Sequence, residues 1–289
     1  MHSYHAYVPV PGAGEGLFTA VCLPDREGSF PTIIYRSPYV DAYEDADEDK
    51  ICGDYLRAFA NWLENGYAVV YQHCRGRGKS DGDCVPYIYE REDGLALHEW
   101  VRSQPFYNGE LYLCGGSYTS SVHYVCAPFA DDIKGAVLEV QDCDRYNCNY
   151  RNGFYKSGLH GGWYVSMYKA KSIKKKNYAP ESFNTLPLSG FSRAVFGEEA
   201  EDFDEILRHP DRDDPFWLTR FGGGEARDAV KHAGIPILFV TGFYDIFIGG
   251  TFAAWNGLDE NTRSKCALAV NPYDHGGSPD GQPVRFENG

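Results

Sequence analysis

A serine on a glycine turn is the feature of this sequence most able to do chemistry. Ser117 follows the short apolar run 111–114 and two glycines, and a helix-like segment opens after it. This is the layout of a nucleophile elbow, in which a tight turn from strand to helix exposes a serine hydroxyl. Glycines are needed because backbone approaches backbone there and the serine takes a strained conformation. The G-x-S-x-G pattern is matched except at its last position, which is not glycine.

A nucleophilic serine also needs a base that takes its proton and an acid that orients the base. In α/β-hydrolases these residues follow in the order Ser, Asp or Glu, His, each on a loop after a strand. Asp245 follows the apolar run 237–241, and His275 follows the run 267–270. Asp274 is a rival acid, but it adjoins His275 and we expect its side chain to point elsewhere. We therefore predict Ser117, Asp245 and His275 as the catalytic residues.

The other eight histidines are weaker candidates for the base. His73 ends a predicted strand, His123 lies in the helix after the elbow, and His160 lies in a later segment where it can touch substrate. The remaining five are expected mostly at the surface, in predicted helices, polar loops or near the terminus: His2, His5, His98, His209 and His232. Only His275 combines the right order with a loop after a strand.

The glycine-rich segment Gln72–Gly82 is similar to a phosphate-binding loop at first sight. A Walker A motif requires G-x-x-x-x-G-K-[ST], and His73 stands where its first glycine belongs. Asp81 likewise occupies the last place of a G-x-G-x-x-G pattern. We interpret the segment as a structural loop whose arginines bind carboxylates or carbonyls. The sequence has no H-E-x-x-H, paired C-x-x-C or calcium-loop pattern, so we expect no metal and no cofactor.

Charge and composition narrow the range of partners. The chain of 289 residues has a formal net charge of −14, which argues against nucleic acid and anionic membranes. No apolar run is long enough to span a bilayer, and the N-terminus does not have the pattern of a signal peptide. The nine cysteines form no framework, and the closest pair, Cys143 and Cys148, lacks C-x-x-C spacing. We predict reduced thiols in a cytoplasmic protein.

Strand-like and helical segments alternate along the chain, which predicts an α/β fold with a mostly parallel sheet covered by helices on both faces. Several predicted strands are continuous apolar runs, as expected for strands covered on both faces. Amphipathic helices are predicted at Tyr55–Glu64, where Asn65 and Gly66 form the C-cap, and at Glu90–Arg102. The predicted strands are Leu17–Leu23, Thr32–Arg36, Ala68–Gln72, Leu111–Cys114, Gly135–Val140, Ile237–Thr241 and Ala267–Val270.

One long segment interrupts this alternation. Residues 141–235 are rich in aromatic and charged side chains and are too long for a simple connection between strands. We predict a mainly helical cap over the carboxyl ends of the strands, inserted between core segments 1–140 and 236–289. Its basic run Lys169–Lys176 is interpreted as a solvated helix face rather than an anion site.

The chain resembles the cocaine esterase and X-prolyl dipeptidyl peptidase family of α/β-hydrolases, which also includes the α-amino-acid ester hydrolases. The matching motifs run nearly end to end in the same order and spacing. They are Tyr35–Tyr39, Gln72–Gly82, Glu92–Gly94 with Glu99 and Trp100, Gln104–Gly109, Gly115–Tyr118, His209–Trp217, Gly242–Phe247 and His275–Gly277.

The resemblance implies an α/β-hydrolase fold and gives the serine, aspartate and histidine above the roles of nucleophile, acid and base. It implies that the Tyr39 hydroxyl joins the backbone N–H of Tyr118 in an oxyanion hole, and that Phe247 lines the acyl pocket. Trp163 of the cap is a further candidate for the pocket. Without the resemblance, Tyr39 would be interpreted as a strand-end aromatic held by Pro38.

The implied activity is cleavage of a carboxylic ester or amide through an acyl-enzyme on Ser117. The substrate would be a small-molecule ester, an amide or a short peptide, and a homo-oligomer is left open. A first alternative is an X-prolyl dipeptidyl aminopeptidase or α-amino-acid ester hydrolase, which needs carboxylates to hold a substrate ammonium. Glu139, Asp142 and Asp144 are candidates, although they also fit a solvated acidic loop. A second alternative is an inactive binding protein with the same fold, against which the intact site residues argue.

The sequence departs from the family pattern at two places. The family often has aspartate where this chain has His73. Family members usually continue after the catalytic histidine into a β-rich jelly-roll domain that closes one side of the pocket, whereas this sequence reaches only Gly289. Two interpretations follow from the sequence: a piece of a longer protein, or a compact variant with an open pocket.

Overall fold

A sheet of eight strands forms the centre of the protein. The computed structural model describes residues 1–129, 131–142, 144–219 and 228–276. The sheet order is β1-β2-β4-β3-β5-β6-β9-β10, and β7 and β8 form a separate hairpin. The strands are β1 (His2–Val8), β2 (Leu17–Leu23), β3 (Phe30–Ser37), β4 (Ala68–His73), β5 (Tyr107–Gly116), β6 (Ile133–Glu139), β7 (Tyr150–Arg151), β8 (Phe154–Tyr155), β9 (Ile237–Tyr244) and β10 (Ala267–Asp274).

The sheet is parallel from β4 to β10, and only β1 and β2 are antiparallel to their neighbours. The α/β-hydrolase fold predicted from the alternation of elements and from the family motifs is therefore confirmed. All seven predicted strands overlap strands of the sheet. The edge strand β1 was not predicted, because its residues (HSYHAYV), all but one of them exposed or half-buried, show no apolar run.

Helices cover the sheet from both sides and fill the long connection between β6 and β9. They are α1 (Glu48–Ala58), α2 (Ala60–Glu64), α3 (Glu90–Arg102), α4 (Tyr118–Tyr124), α5 (Arg145–Asn149), α6 (Gly162–Met167), α7 (Pro180–Phe183), α8 (Phe191–Phe196), α9 (Glu201–Arg208), α10 (Phe216–Thr219), α11 (Ile248–Gly257) and α12 (Glu260–Arg263).

The prediction of one helix over Tyr55–Glu64 was wrong at its start. The helix begins at Glu48, because the Asp47 side chain caps it by accepting hydrogen bonds from the backbone N–H groups of Asp49 and Lys50 at 3.0 and 3.1 Å. An aspartate followed by acidic residues is a typical N-terminal signal. The helix is interrupted at Phe59, after which α2 completes the connection to β4.

Two apolar layers hold the helices against the sheet. On one face, Ile34, Val70 and Leu113 belong to a cluster with Leu97 and Val101 of α3. On the other face, alternate residues such as Ile33 and Val69 pack against Ile51 and Tyr55 of α1. This alternation follows from the two-residue period of a strand, which sends successive side chains to opposite faces.

The segment between β6 and β9 has a hydrophobic cluster of its own. Tyr164, Phe191 and Phe203, each 1 % exposed or less, lie at its centre. The described part of this segment contains α5 to α10 and the β7–β8 hairpin. This composition agrees with a mainly helical cap, and the division of the chain at residues 140 and 235 stays a prediction.

The basic run Lys169–Lys176 is not the helix face that we expected. It follows α6 as turns and irregular chain. Lys171 Nζ donates to the carbonyl oxygen of Ser80 at 2.7 Å, and Lys176 Nζ donates to that of Tyr168 at 2.6 Å. Burial lowers the pKa of Lys176 to about 8. Lys171 therefore connects the segment to the glycine-rich loop, whereas Lys176 bonds to the chain at the end of α6, because a partly buried ammonium needs acceptors.

The glycine-rich loop Gln72–Gly82 is built as the sequence predicted. Arg75 forms a two-point ion pair with Asp93, with nitrogen–oxygen distances of 3.0 and 2.5 Å. Arg77 Nε donates to the carbonyl oxygen of Pro38 at 2.8 Å. The arginines therefore connect the loop to α3 and to the chain beside Tyr39.

Two further expectations concern membrane-spanning helices and the cysteines. Within the ranges that the structure describes, no helix has both the length and the apolar character needed to cross a bilayer. The eight cysteines in those ranges are free thiols. Cys143, half of the closest cysteine pair, lies outside the described residues, as does Gly277 of the final motif.

Candidate active site

Ser117 lies on a strained turn between β5 and α4. Its backbone has φ 57° and ψ −126°, a conformation that few residues other than glycine adopt. Gly115 is required, because a Cβ atom there would lie 2.2 Å from the carbonyl oxygen of Thr119. Thr119 fills the last position of the elbow pattern, and its hydroxyl accepts from the N–H of Gly116 at 2.7 Å. The turn exposes the serine side chain at the carboxyl edge of the sheet.

The three predicted catalytic residues lie in hydrogen-bonding contact. His275 Nε2 is 2.9 Å from Ser117 Oγ, and His275 Nδ1 is 2.8 Å from Asp245 Oδ1. The Asp245 side chain is fully buried and also accepts from the Thr241 hydroxyl at 3.1 Å and from the N–H of Phe247 at 3.0 Å. These bonds orient the carboxylate toward the imidazole.

Asp274, the rival acid, has a different environment. It is exposed, and its Oδ1 accepts from the N–H of Gly276 at 2.9 Å. Parallel strands explain why Asp245 is the residue that reaches His275. The carboxyl ends of β5, β9 and β10 lie at one edge of the sheet, so residues that directly follow them converge.

Tyr39 and Tyr118 meet beside the serine. Tyr39 follows β3, and its phenol oxygen accepts from the indole Nε1 of Trp163 at 3.2 Å. Burial raises the pKa of Tyr39, whereas hydrogen bonds with Ser117, Trp163 and the backbone of Tyr118 oppose that increase. The Tyr39 hydroxyl therefore lies within hydrogen-bonding distance of Ser117 and of the backbone of Tyr118.

The side chain of Tyr118 points away from the serine into a buried polar network. Its hydroxyl donates to Glu90 Oε1 at 2.6 Å and accepts from the N–H of Tyr87 at 2.9 Å. Glu90 Oε2 pairs with Arg36 at 3.0 Å, and Arg36 is fully buried. The sequence contained a signal for this network, which was missed: Arg36 is a charge within an otherwise apolar predicted strand.

A cavity of about 410 Å³ opens over the serine. Phe247 and Trp163, the predicted pocket residues, both line it, and the Phe247 ring stands edge-on to the His275 ring at 5.1 Å. His160 also lines it, as the sequence suggested. Other lining residues were not singled out for this role: Tyr87, Arg145, Leu159 and Ile246. No motif marks the first three, which the fold brings in from connecting segments, and Ile246 lies in the motif Gly242–Phe247 without a role having been predicted for it.

The three acidic candidates for ammonium binding are separated in space. Asp142 lines the cavity, and burial raises its pKa to about 6. Glu139 lines a groove on the sheet instead, and Asp144 caps α5 and pairs with Arg212 at 2.6 Å. Of the three, only Asp142 contacts the space over Ser117.

Histidine burial differs from expectation in one case. His98 was expected at the surface, but it lies fully buried in α3, where burial lowers its pKa to about 3. The face of α3 that carries His98 is buried.

In the described parts of the chain, no group of three or more histidine, cysteine, aspartate or glutamate side chains could hold a metal ion.

The comparisons with known proteins agree with the resemblance found in the motifs. The family model of X-Pro dipeptidyl-peptidase (S15 family) matches residues 14–277. Cocaine esterase from Rhodococcus sp. (strain MB1 Bresler) is 24% identical over 295 residues, covering 90% of this chain and 47% of that protein.

Solved structures show the same fold at low sequence identity. An aminopeptidase from a marine sediment Thaumarchaeota archaeon superposes with a TM-score of 0.73 at 17% identity, over 95% of this chain and 49% of that one. An α-amino acid ester hydrolase gives 0.70 at 19% identity, over 95% and 48%. The chain spans about half the length of these relatives. By the extent of the family match, the chain belongs to the X-Pro dipeptidyl-peptidase (S15) family.

Proposed function

We propose that this protein is a serine hydrolase that cleaves a carboxylic ester, or an amide, through an acyl-enzyme on Ser117. The observation that carries the proposal is the continuous hydrogen-bonded line from Ser117 Oγ through the His275 ring to Asp245. Membership of a family that contains peptidases and an esterase supports the same class of reaction. The acyl-enzyme route uses only groups that this line provides.

In the first half of the reaction, Ser117 Oγ attacks the substrate carbonyl carbon and His275 Nε2 takes the serine proton. Asp245 accepts a hydrogen bond from Nδ1–H and stabilises the imidazolium. The carbonyl oxygen becomes an oxyanion as the tetrahedral intermediate forms. When the intermediate collapses, the leaving alcohol or amine takes the proton from Nε2, and the acyl group remains on Ser117.

In the second half, water repeats the attack on the acyl-enzyme. His275 Nε2 takes a proton from the water as its oxygen bonds to the acyl carbon. Collapse of the second tetrahedral intermediate breaks the bond to Ser117 Oγ, which recovers the proton from Nε2. The acid product leaves and the serine is regenerated.

The Tyr39 hydroxyl and the N–H of Tyr118 are proposed as the oxyanion donors. Both lie beside Ser117, and the strained serine turn keeps the N–H at a set position. A donor placed where charge develops contributes roughly 3–4 kcal/mol to the barrier reduction. This stabilisation acts on the transition state more than on the neutral carbonyl.

Ester cleavage is favoured over an aminopeptidase or amino-acid ester hydrolase activity. Those activities require carboxylates that hold an ammonium group. Of the three acidic residues considered for this role, only Asp142 lines the cavity, and Arg145 lies beside it. The hydrogen-bonded line at Ser117 also argues against an inactive binding protein.

A fluorophosphonate probe, together with serine and histidine variants, tests the proposal. The probe should label Ser117 in the native protein and leave Ser117→Ala unlabelled. Ser117→Ala and His275→Ala should each lower kcat/KM for a 4-nitrophenyl ester by about 10⁴-fold or more, and the double variant should lose little further, because the two residues act as one unit.

His232→Ala is the matched control, because His232 also pairs with an aspartate, Asp259, at 2.7 Å but lies exposed and away from the cavity. It should keep native turnover. Near-native turnover by Ser117→Ala or His275→Ala would contradict the proposed mechanism.

A further inference from the structure

We propose that Arg145 and His160 form a carboxylate-binding subsite for the acyl part of the substrate, so that the protein acts on esters of aromatic acids that carry a second carboxylate. This inference rests on the proposed function and names the substrate class of the same site. It depends on two side chains that line the cavity, Arg145 and His160, and on the engagement of the lining carboxyl Asp142 by a backbone N–H group.

Arg145 is held flat against one wall of the cavity. It is 5% exposed, and its guanidinium carbon lies 3.9 Å from the centroid of the Tyr87 ring. Its Nη2 donates to the backbone carbonyl of Asp142 and to Ser121 Oγ, the latter at 3.3 Å. Ser121 lies one helical turn after Ser117 on α4. These contacts place a planar cation near the nucleophile, with the geometry that matches a carboxylate.

His160 supplies an independent sign of a missing ligand. It is 5% exposed, and its Nε2 is buried without a hydrogen-bond partner. The ring stacks on Trp163 with centroids 5.2 Å apart, so its orientation is set. Burial lowers its pKa to about 3, which keeps the imidazole neutral at neutral pH and able to donate one N–H. An unsatisfied buried polar atom is costly, and an acceptor on the substrate would satisfy it.

Arg145 and His160 both lie beside one aromatic ring, that of Tyr87. The His160 ring is nearly parallel to that of Tyr87 with centroids 6.3 Å apart, and Arg145 covers the same ring. Trp163 and Phe247 line the same cavity. Aromatic walls favour a flat, apolar body, and the polar pair favours an acceptor attached to it. Together they specify an aromatic acyl group with an anionic substituent.

The charges around the subsite favour an anion over a cation. Asp142 is a carboxyl that lines the cavity near Arg145. Its Oδ1 already accepts a hydrogen bond from the N–H of Asp144 at 2.8 Å, and its carboxyl group packs against Gly250. Lys156 adds a further positive charge that acts on both Asp142 and His160. The positive charges of Arg145, which lines the cavity, and of Lys156, which acts from outside it, would therefore repel a substrate ammonium and attract a carboxylate.

Three 4-nitrophenyl esters that share a para-substituted benzoyl group test this subsite. Their acyl groups are 4-carboxybenzoyl, 4-methylbenzoyl and 4-(aminomethyl)benzoyl, so the leaving group is constant and the para substituent is anionic, neutral or cationic. The native protein should show kcat/KM in the order carboxylate, methyl, ammonium, with the carboxylate ester ahead of the methyl ester by roughly tenfold or more, since the polar groups are satisfied only by that substrate. An equal or reversed order would overturn the inference.

Two variants and a control locate the effect. Arg145→Met should reduce the ratio of carboxylate to methyl ester by roughly tenfold or more, and His160→Phe, which keeps the stacked ring, should reduce it severalfold. Arg212→Met is the control: Arg212 also covers a tyrosine ring, that of Tyr146, at 5.6 Å, but does not line the cavity. The ratio of kcat/KM for the carboxylate ester to that for the methyl ester should be the same in Arg212→Met as in the native protein.

The outcomes separate this inference from the proposed function. Fluorophosphonate labelling and cleavage of the methyl ester, with no preference for the carboxylate ester, would leave the serine hydrolase intact and exclude the subsite. If Ser117 were not labelled and none of the three esters were cleaved, both the proposed serine hydrolase activity and the carboxylate subsite would be contradicted. If Arg145→Met does not fold, the order of the three esters and the His160→Phe ratio still decide. A native ratio in His160→Phe and in folded Arg145→Met would also exclude the subsite.

Discussion

The indole N–H of Trp163 donates a hydrogen bond to the phenol oxygen of Tyr39 at 3.2 Å. Trp163 lies on α6 in the segment between β6 and β9, and Tyr39 follows β3 of the central sheet. One bond therefore connects the two parts of the chain across the cavity over Ser117. Because the indole occupies a lone pair of the phenol oxygen, the tyrosine hydrogen is left to point at another acceptor.

This arrangement predicts that Tyr39→Phe lowers kcat far more than it raises KM. The lost hydroxyl should cost about 10²- to 10³-fold in kcat, the usual effect of removing one oxyanion donor. The aromatic ring remains, so the melting temperature should change little. Trp163→Phe, which removes only the orienting indole N–H, should have a smaller effect of the same kind. An unchanged kcat for Tyr39→Phe, where acylation limits the rate, would exclude the hydroxyl from the site.

The acid is tested by two aspartates: Asp245, which contacts His275 in space, and Asp274, which adjoins it in sequence. Asp245→Asn should leave the fold intact and lower kcat by up to about 10⁴-fold, because the amide can favour the wrong imidazole tautomer. Asp274→Asn is the matched control, since its carboxylate binds the backbone of Gly276, and it should keep turnover within about twofold of native. If Asp274→Asn is the damaging change, the assignment of the acid is wrong.

The buried network of Tyr118, Glu90 and Arg36 predicts a positioning role for Glu90, which would hold Tyr118 in place through the hydrogen bond from the Tyr118 hydroxyl. In Tyr118→Phe, Glu90 and the N–H of Tyr87 each lose the phenol hydroxyl as a partner. We expect kcat to fall while KM changes little, because the Tyr118 backbone N–H would be less well placed. The affinity for a phosphonate transition-state analogue should fall in parallel with kcat. A lower melting temperature with native kcat and native analogue affinity would show that the network only stabilises the fold.

Glu90→Gln should have a larger effect on stability. Arg36 is fully buried, and the change removes the nearer of the two carboxylates that face it; the other, Asp93, lies at 4.0 Å and is shared with Arg75. Breaking a buried ion pair from one side typically costs about 3–5 kcal/mol, and we expect the lower end of this range because Asp93 still compensates part of the Arg36 charge. Urea unfolding of Glu90→Gln beside Tyr118→Phe would separate this cost from the loss of the phenol hydrogen bond. Equal midpoints for Glu90→Gln and the native protein would contradict it.

Buried histidines predict that the protein loses stability in mild acid. Burial lowers the pKa of His73, His98 and His160 to about 3, and that of His123 well below its usual value. Between pH 6.5 and 3 the unfolded chain binds protons that the native protein does not, so stability present above pH 6.5 is lost as the pH falls. Each histidine contributes roughly 1.4 kcal/mol per pH unit once its unfolded form is protonated.

Urea midpoints at pH 7.5 and pH 5.5 measure this effect. Asp142 acts in the opposite direction, because burial raises its pKa to about 6 and the native protein binds its proton more tightly than the unfolded chain does. Burial also raises the pKa values of Glu90, Glu139 and Asp204. The unfolded forms of the four histidines bind their protons within this pH interval, so the midpoint should still fall at pH 5.5. His98→Leu should reduce the difference between the two midpoints. Identical native midpoints at both pH values would show that these histidines do not remain neutral in the folded protein.

Local order in the sequence was enough to predict seven of the eight strands of the sheet and the three residues at its carboxyl edge. Apolar runs predicted the strands at Ser117, Asp245 and His275, because a strand covered on both faces cannot contain many polar residues. Polar residues directly after parallel strands must meet at one edge, so their order along the chain also indicated their roles. The start of α1 had a local signal as well, the capping side chain of Asp47. It was missed because the pattern of apolar residues does not show a cap.

Only the tertiary structure decided what surrounds those three residues. Tyr87, Arg145 and His160 come from three separate segments, and nothing in their neighbouring residues shows that they line one cavity. The burial of His98 and the contacts of Lys171 and Lys176 were hidden for the same reason. Periodicity indicates which face of an element is buried, but the packing of distant segments determines which side chains meet there, and hence what the cavity can bind.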